Sequence, residues 1–213
     1  MSTPILLVSD GIVHPSLLGR FWLRRALRAL PGYRFHRVAS LEALPGLALG
    51  SFRALVLYVH HKTLSPPALD DLETFVRQGG GLLGVHSASA SFKQEDRYFE
   101  LLGGRFVGHG PVETFQLQPA TPQDAIFGGI AAFSVRDELY RHEYDPGNRV
   151  HFFAPVGGER EPQVWTRPHG QGRVCYCALG HTAVAMRHPS VQEILRRGLA
   201  WVCDTPPEEE EQP

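Results

Sequence analysis

Excess charge is the first thing this sequence lacks: 21 lysines and arginines stand against 22 aspartates and glutamates, a formal net charge of −1. A chain so balanced presents no electrostatic footprint for nucleic acid or an anionic membrane surface, and neither is expected as a partner. Cysteine is scarce as well. The three present, Cys175, Cys177 and Cys203, are an odd number without metal-knuckle spacing, and Cys175 and Cys177 share one side of a strand, so they read as buried free thiols. No apolar run approaches a membrane span and no charged-then-apolar signal opens the chain, which makes a cytoplasmic location the expectation. No internal repeat and no second domain interrupts the 213 residues. A single domain over 1–203 has ample length for a core of its own. The remaining 204–213, rich in Pro and Glu, is too polar to pack and is expected to be a disordered tail.

What the sequence does contain is an alternation of short apolar runs and amphipathic stretches. Ile5 to Val8 reads as a buried parallel strand, and 17–30 has helical spacing at Leu17, Phe21, Leu23, Ala26, Leu27 and Leu30. Arg20, Arg24, Arg25 and Arg28 fall on its other faces; a phosphate site is one reading of the set, and a solvated helix face is the preferred one. Pro31-Gly32 stops the helix, 33–38 alternates like an edge strand, and 54–59 is the next buried strand, closed by His60 and His61. Ser65-Pro66-Pro67 opens a second helix in the usual way, with Ser as cap and Pro in the first turn. Strand, helix, strand, connection, strand argues for a doubly wound parallel sheet. Beyond 102 the candidates 115–117, 150–154, 163–166 and 173–178 are separated by Pro and Gly turns, so antiparallel pairing is expected in the second half, whose open edges offer a surface for a homodimer. Residues 190–202 form a last amphipathic helix.

The chain is organised around Gly79-Gly80-Gly81-Leu82-Leu83-Gly84-Val85-His86-Ser87-Ala88. Glycines, a short apolar run and small polar residues, followed by an amphipathic stretch from Phe92 to Leu102, predict turn, buried strand, sharp corner and helix. A corner of this kind at the carboxyl end of a parallel strand is where open α/β sheets place ligands, and small flanking residues permit the strained turn that presents one side chain. The residue presented here is His86. A second loop with glycines on both sides, Gly108-His109-Gly110, leaves His109 able to approach a ligand closely.

These residues, with Leu102-Gly103-Gly104-Arg105-Phe106-Val107-Gly108-His109, Asp137-Glu138-Leu139-Tyr140, Pro162-Gln163-Val164-Trp165, Gly172-Arg173-Val174 and Leu179-Gly180-His181, stand in the order found in the ThuA-like (trehalose utilisation) family. The similarity runs from Ile5 to about Trp201, and the ordered set is far more specific than any one motif. The resemblance implies a fold similar to class I glutamine amidotransferases: three α/β/α layers about a mostly parallel, flavodoxin-like sheet, with added antiparallel strands in the second half. It also implies a role in sugar metabolism. An active amidotransferase carries a Cys nucleophile at the elbow and a later His as its base. His86 occupies that place here, which argues against thiol-dependent glutamine hydrolysis.

The polar residues that strand ends and loops can gather leave several chemistries open. His86 and His181 are candidate proton-transfer groups, with Glu138 or Asp137 to fix an imidazole tautomer or share the proton work. His86, His109 and His181 with Glu138 also offer the ligand types of a divalent metal site such as zinc, although they come from separate segments without a spacing signature. Candidate contacts to a small carbohydrate are His14, Ser87, His109, Tyr140 and Trp165, the two aromatics as stacking surfaces for a pyranose ring. Ser87 beside the corner reads as a turn residue in preference to a nucleophile. The expectation is a carbohydrate-directed hydrolase or isomerase; the alternative is a non-catalytic sugar-binding or assembly protein on the same scaffold.

Overall fold

The apolar runs of the sequence become the middle strands of one large sheet. The computed structural model describes residues 2–11 and 15–204. In chain order the first elements are β1 (Thr3–Ser9), α1 (Leu17–Arg28), β2 (Tyr33–Val38), β3 (Ala54–Tyr58), α2 (Pro66–Arg77) and β4 (Gly81–Val85). Every residue of β3 and β4 is buried, as in a strand covered on both faces, whereas β2 is half exposed and lies at the edge. Ser16 caps α1 by accepting from the Gly19 amide at 3.0 Å, and Leu23, Ala26 and Leu27 form the stripe that α1 buries.

After β4 come α3 (Asp96–Leu102), β5 (Gly104–His109), β6 (Glu113–Pro119), β7 (Phe133–Asp137), β8 (Tyr140–Tyr144), β9 (Arg149–Val156), β10 (Glu159–His169), β11 (Gly172–Cys177), α4 (Ala183–Arg187) and α5 (Pro189–Cys203). The sheet order is β2-β1-β3-β4-β11-β10-β9-β6-β7. From β2 to β11 all pairs are parallel; from β11 outward all are antiparallel. The two kinds of pairing meet at β11, which the chain inserts beside β4. A separate ribbon of β5 and β8 pairs His109 with Tyr140.

Strand alternation divides the core in two. Leu6, Val8, Leu82 and Val174 pack with Leu69 and Leu72 of α2 and Leu101 of α3, whereas Ile5, Leu7, Leu83 and Cys175 pack with Leu27 of α1 and Ile194 and Leu195 of α5. The result is the expected three-layer α/β/α arrangement. No helix among the described residues is long and apolar enough to cross a membrane.

Four sequence expectations are corrected or bounded. The helix expected from Phe92 begins at Asp96, because Phe92 has φ +52°, donates its amide to the His61 carbonyl at 2.9 Å and buries its ring beside Tyr98. His109 is the last residue of β5 and not a free loop residue. Trp165 has no exposed surface: its indole N–H donates to the Leu102 carbonyl at 3.0 Å and its ring packs on Tyr176, so it serves the core and cannot stack on a sugar. The tail expectation falls, apart from Asp204, outside the described residues.

The seam between the parallel and antiparallel parts tolerates no added volume at Gly172, where a Cβ would collide with the carbonyl oxygens of Val76 and Gly80. Backbone on both sides cannot move aside cheaply. Gly172→Ala is expected to lose about 3 kcal/mol of stability, read as a lower urea midpoint; an unchanged midpoint would show that the seam yields.

Candidate functional site

Strand β4 ends in a left-handed turn at His86, with φ +46°. L-residues rarely adopt this conformation, and it persists only where surroundings over-determine it. Here they do. Gly84 leaves room where a Cβ would come within 2.8 Å of Leu102, and Gly180, with φ +137°, passes where a Cβ would lie 3.3 Å from that of His86. The Tyr176 hydroxyl donates to the His86 carbonyl at 2.8 Å and lies 2.6 Å from the Ser89 hydroxyl. Unlike the exposed corner expected, His86 is buried at 1% exposure.

The orientation of the imidazole follows from its neighbours. His86 Nδ1 lies 2.8 Å from the Ala178 carbonyl, which can only accept, so Nδ1 carries the proton and Nε2 keeps a lone pair. That lone pair accepts from the Tyr140 hydroxyl at 3.0 Å. Burial, and then the charges of Glu138 and Asp137, hold the Tyr140 hydroxyl pKa above its usual value, so it remains a donor. Its ring lies 4.2 Å from that of His86 and 4.4 Å from that of Phe106. With neighbours at both rings and 4% exposure, Tyr140 offers a hydroxyl rather than the stacking surface expected of it.

Glu138, buried in the link between β7 and β8, is the hub of the site. Its Oε2 lies 3.8 Å from His86 Nε2 and 3.3 Å from His181 Nδ1, and its Oε1 lies 3.7 Å from His109 Nδ1. Donor atoms of His86, Glu138 and His181 all fall within 4.8 Å of one another. Tetrahedral zinc with bonds near 2.1 Å holds its donors roughly 3.4 Å apart, so small side-chain rotations would close this set. The second nitrogen of His86 is already held by a carbonyl, the usual outer support of a ligating imidazole. His109 stands outside that trio, its Nδ1 turned to the Gly110 carbonyl at 2.7 Å. Side-chain exposure rises from 2% at His86 through 9% at Glu138 and 22% at His181 to 39% at His109, so the cluster opens toward solvent past the last two.

Asp137 does not fix an imidazole tautomer, since the Ala178 carbonyl does so. It anchors the loop that carries His181, accepting from the amides of Gly180 at 2.7 Å, His181 at 3.3 Å and Thr182 at 2.8 Å. Tyr58 holds the same loop by donating to the Gly180 carbonyl at 2.6 Å. Ser87 is buried beside the corner; its hydroxyl has no hydrogen-bond partner among the described residues, and its carbonyl accepts from Ser91 at 2.9 Å. His14 lies outside the described residues. The elements that sequence reasoning missed are Ala178, Tyr176, Ser89 and Tyr58. Each acts through a contact made across the fold, and only Leu179-Gly180-His181 drew attention to that loop beforehand.

Burial pushes the Asp137 carboxyl up from 3.8 to about 6 against the opposing pull of the backbone amides. A carboxyl whose folded pKa is raised contributes most to stability below its unfolded value and loses that contribution as pH climbs through the folded one. As pH rises from well below 4 to well above 6 the metal-free protein should therefore lose about 3 kcal/mol from this group in all, relative to Asp137→Asn. Urea midpoints measured across that range should converge or cross as pH rises; parallel profiles would remove the assignment.

The family model ThuA, described as trehalose utilisation, matches residues 6–202. The structure is similar to a ThuA-like protein from Parabacteroides merdae, with a TM-score of 0.81 and 19% identity over 95% of this chain and 90% of that one. A ThuA-like protein from Bacteroides uniformis gives 0.78 and 15% over 94% and 91%. A β-galactosidase from Bacillus circulans sp. alkalophilus gives 0.62 and 14%, covering 95% of this chain and only 30% of that enzyme. At these identities the structural likenesses establish the fold alone. No functionally curated sequence matches. The family match spans nearly the whole chain and includes every described residue of the His86 cluster; the chain belongs to the ThuA family.

Proposed function

We propose that this protein is a carbohydrate-directed enzyme, a hydrolase or isomerase, in which His86, Glu138 and His181 hold one divalent ion such as zinc. One observation carries the reading: three donors from the ends of β4 and β11 and the link before β8 converge within 4.8 Å. Two neutral imidazoles and a carboxylate are the donor set of a catalytic zinc site that keeps a position open for substrate. Bound there, the ion would polarise a sugar carbonyl or hydroxyl, or lower the pKa of a water.

The chain's own groups supply the rest. Ala178 keeps His86 in the tautomer whose Nε2 faces Glu138. Nε2 is the atom with which His86 would hold an ion, and the Tyr140 O–H beside it would then serve as a donor to a substrate oxygen. His109, the most exposed of the cluster, stands at the entrance to receive or deliver a proton. Thiol chemistry has no place in this scheme. Burial raises the pKa of Cys175 and pushes that of Cys177 up to about 12, and both side chains face the α5 layer. The sugar assignment is supported by the trehalose-utilisation description of the family and by the recurrence of the fold within a β-galactosidase.

Tag-free protein purified without chelator is expected to contain close to one zinc, manganese or iron per chain by elemental analysis, and a His86→Ala, His181→Ala double variant to contain almost none. Occupancy should fall as the medium is acidified, because protons compete with the ion for the imidazoles and the carboxylate. Parent protein that is metal-free and takes up no added metal would sink the metal assignment. Saturable sugar binding without product by mass spectrometry would leave a binding protein instead.

A further inference from the structure

Strand β1 ends at Ser9, which is buried at 2% exposure, yet its hydroxyl has no hydrogen-bond partner among the described residues. A buried hydroxyl in that state bears its desolvation cost uncompensated, so it invites an explanation. Alternation along β1 gives the direction it faces. Ile5 and Leu7 pack among Leu27 of α1 and Leu195 of α5, and Ser9, two residues further on, points into the same layer. A cleft of about 740 Å³ opens there between α1, β2 and α5, with Ser9 in its lining.

The cleft is lined by arginines from three elements: Arg20, Arg24, Arg25 and Arg28 of α1, Arg37 of β2 and Arg196 of α5. The sequence alone placed the α1 set on a solvated face; the fold adds Arg37 and Arg196 opposite it. Arg20 pairs with Asp10 at 3.6 Å and Arg196 with Glu193 at 2.7 Å. Among the described residues no carboxylate pairs with Arg24, Arg25, Arg28 or Arg37. Arg37 is held beside the orphaned hydroxyl, its Nε donating to the Ser9 carbonyl at 3.2 Å. In a chain of net charge −1 this concentration of cations is local. The cleft shares no lining residue with the His86 cluster.

We propose that this cleft binds a small phosphorylated molecule, at a site separate from the metal cluster. Guanidinium forks match the paired oxygens of a phosphate, the Ser9 hydroxyl supplies one further donor, and the volume suits a ligand of metabolite size. Leu17 and Phe21, each 56% exposed, line the same cleft and provide an apolar surface for the carbon skeleton. The position, outside the carboxyl end of a parallel strand, is one that open α/β sheets use for ligands.

Calorimetric titration with inorganic pyrophosphate and with glucose 6-phosphate, each with and without chelator, tests the assignment. Saturable binding at one site per chain is expected in both buffers. Arg24→Ala with Arg28→Ala, two exposed positions, should weaken it by about a hundredfold, and Ser9→Ala by about tenfold. The Ser9→Ala protein should nonetheless keep or raise its melting temperature, because an uncompensated buried hydroxyl is removed. Tighter binding of glucose 6-phosphate would identify a phosphorylated metabolite that uses Leu17 and Phe21; tighter binding of pyrophosphate would identify an inorganic anion, and either supports the site. Absence of saturable binding, binding unaltered in the double arginine variant, binding abolished by chelator, or retention on heparin without binding of either small phosphate would overturn the proposal.

Discussion

The left-handed turn at His86 is the constraint on which the candidate site depends. A residue with a Cβ held at φ +46° costs free energy unless neighbours compensate, and here four residues do so. Tyr176 of β11 holds the His86 carbonyl, Ala178 holds its Nδ1, Tyr140 meets its Nε2, and Gly180 leaves the space beside its Cβ. Three of these contacts arise from β11 and the loop after it. The parallel insertion of β11 beside β4 thus does more than complete a sheet: it brings the fixing groups to the corner.

Two adjacent acids divide the remaining work, and their surroundings explain the division. Asp137 is fully buried and faces three backbone amides, so its carboxylate serves the loop of residues 180–182. Glu138 faces three imidazoles instead and has some access to solvent. A one-residue step along the chain turns one carboxylate toward backbone and the next toward ligand-type nitrogens. Orientation of His86 and placement of His181 therefore depend on groups outside the trio itself, as is usual where ligating side chains must be pre-set.

The outer half of the molecule uses charge differently. His86, Tyr140 and Asp137 are buried and held by named hydrogen bonds; in the cleft between α1, β2 and α5 the arginines are largely exposed and outnumber nearby acids. Guanidinium groups can lie close together on a surface because water screens them. Such an arrangement retains electrostatic energy that an anion can recover on binding. The two regions lie at different places along the strand ends of one sheet, where loops of neighbouring strands are free to differ.

Much of the architecture was legible without coordinates. Unbroken apolar runs such as Ile5 to Val8 and 54–58 identify buried parallel strands, because a strand covered on both faces has no polar side, and Pro31-Gly32 and Ser65-Pro66-Pro67 mark where helices stop and start. The sequence by itself determined the corner at His86, since local glycines and small residues allow that turn. It also excluded a thiol nucleophile at that corner. Only the tertiary structure decided which polar residues meet. Trp165 and Tyr140 look alike in sequence as aromatics within motifs, yet one is sealed in the core and the other aims a hydroxyl at His86. Asp137 and Glu138 are neighbours with unlike roles, and Arg37 and Arg196 join the α1 arginines only when β2 and α5 pack beside that helix. Local propensity acts through bonded neighbours and is written in spacing; the bonds that orient His86 reach 92 residues along the chain to Ala178 and 54 to Tyr140, and depend on a β11 register that no local pattern specifies.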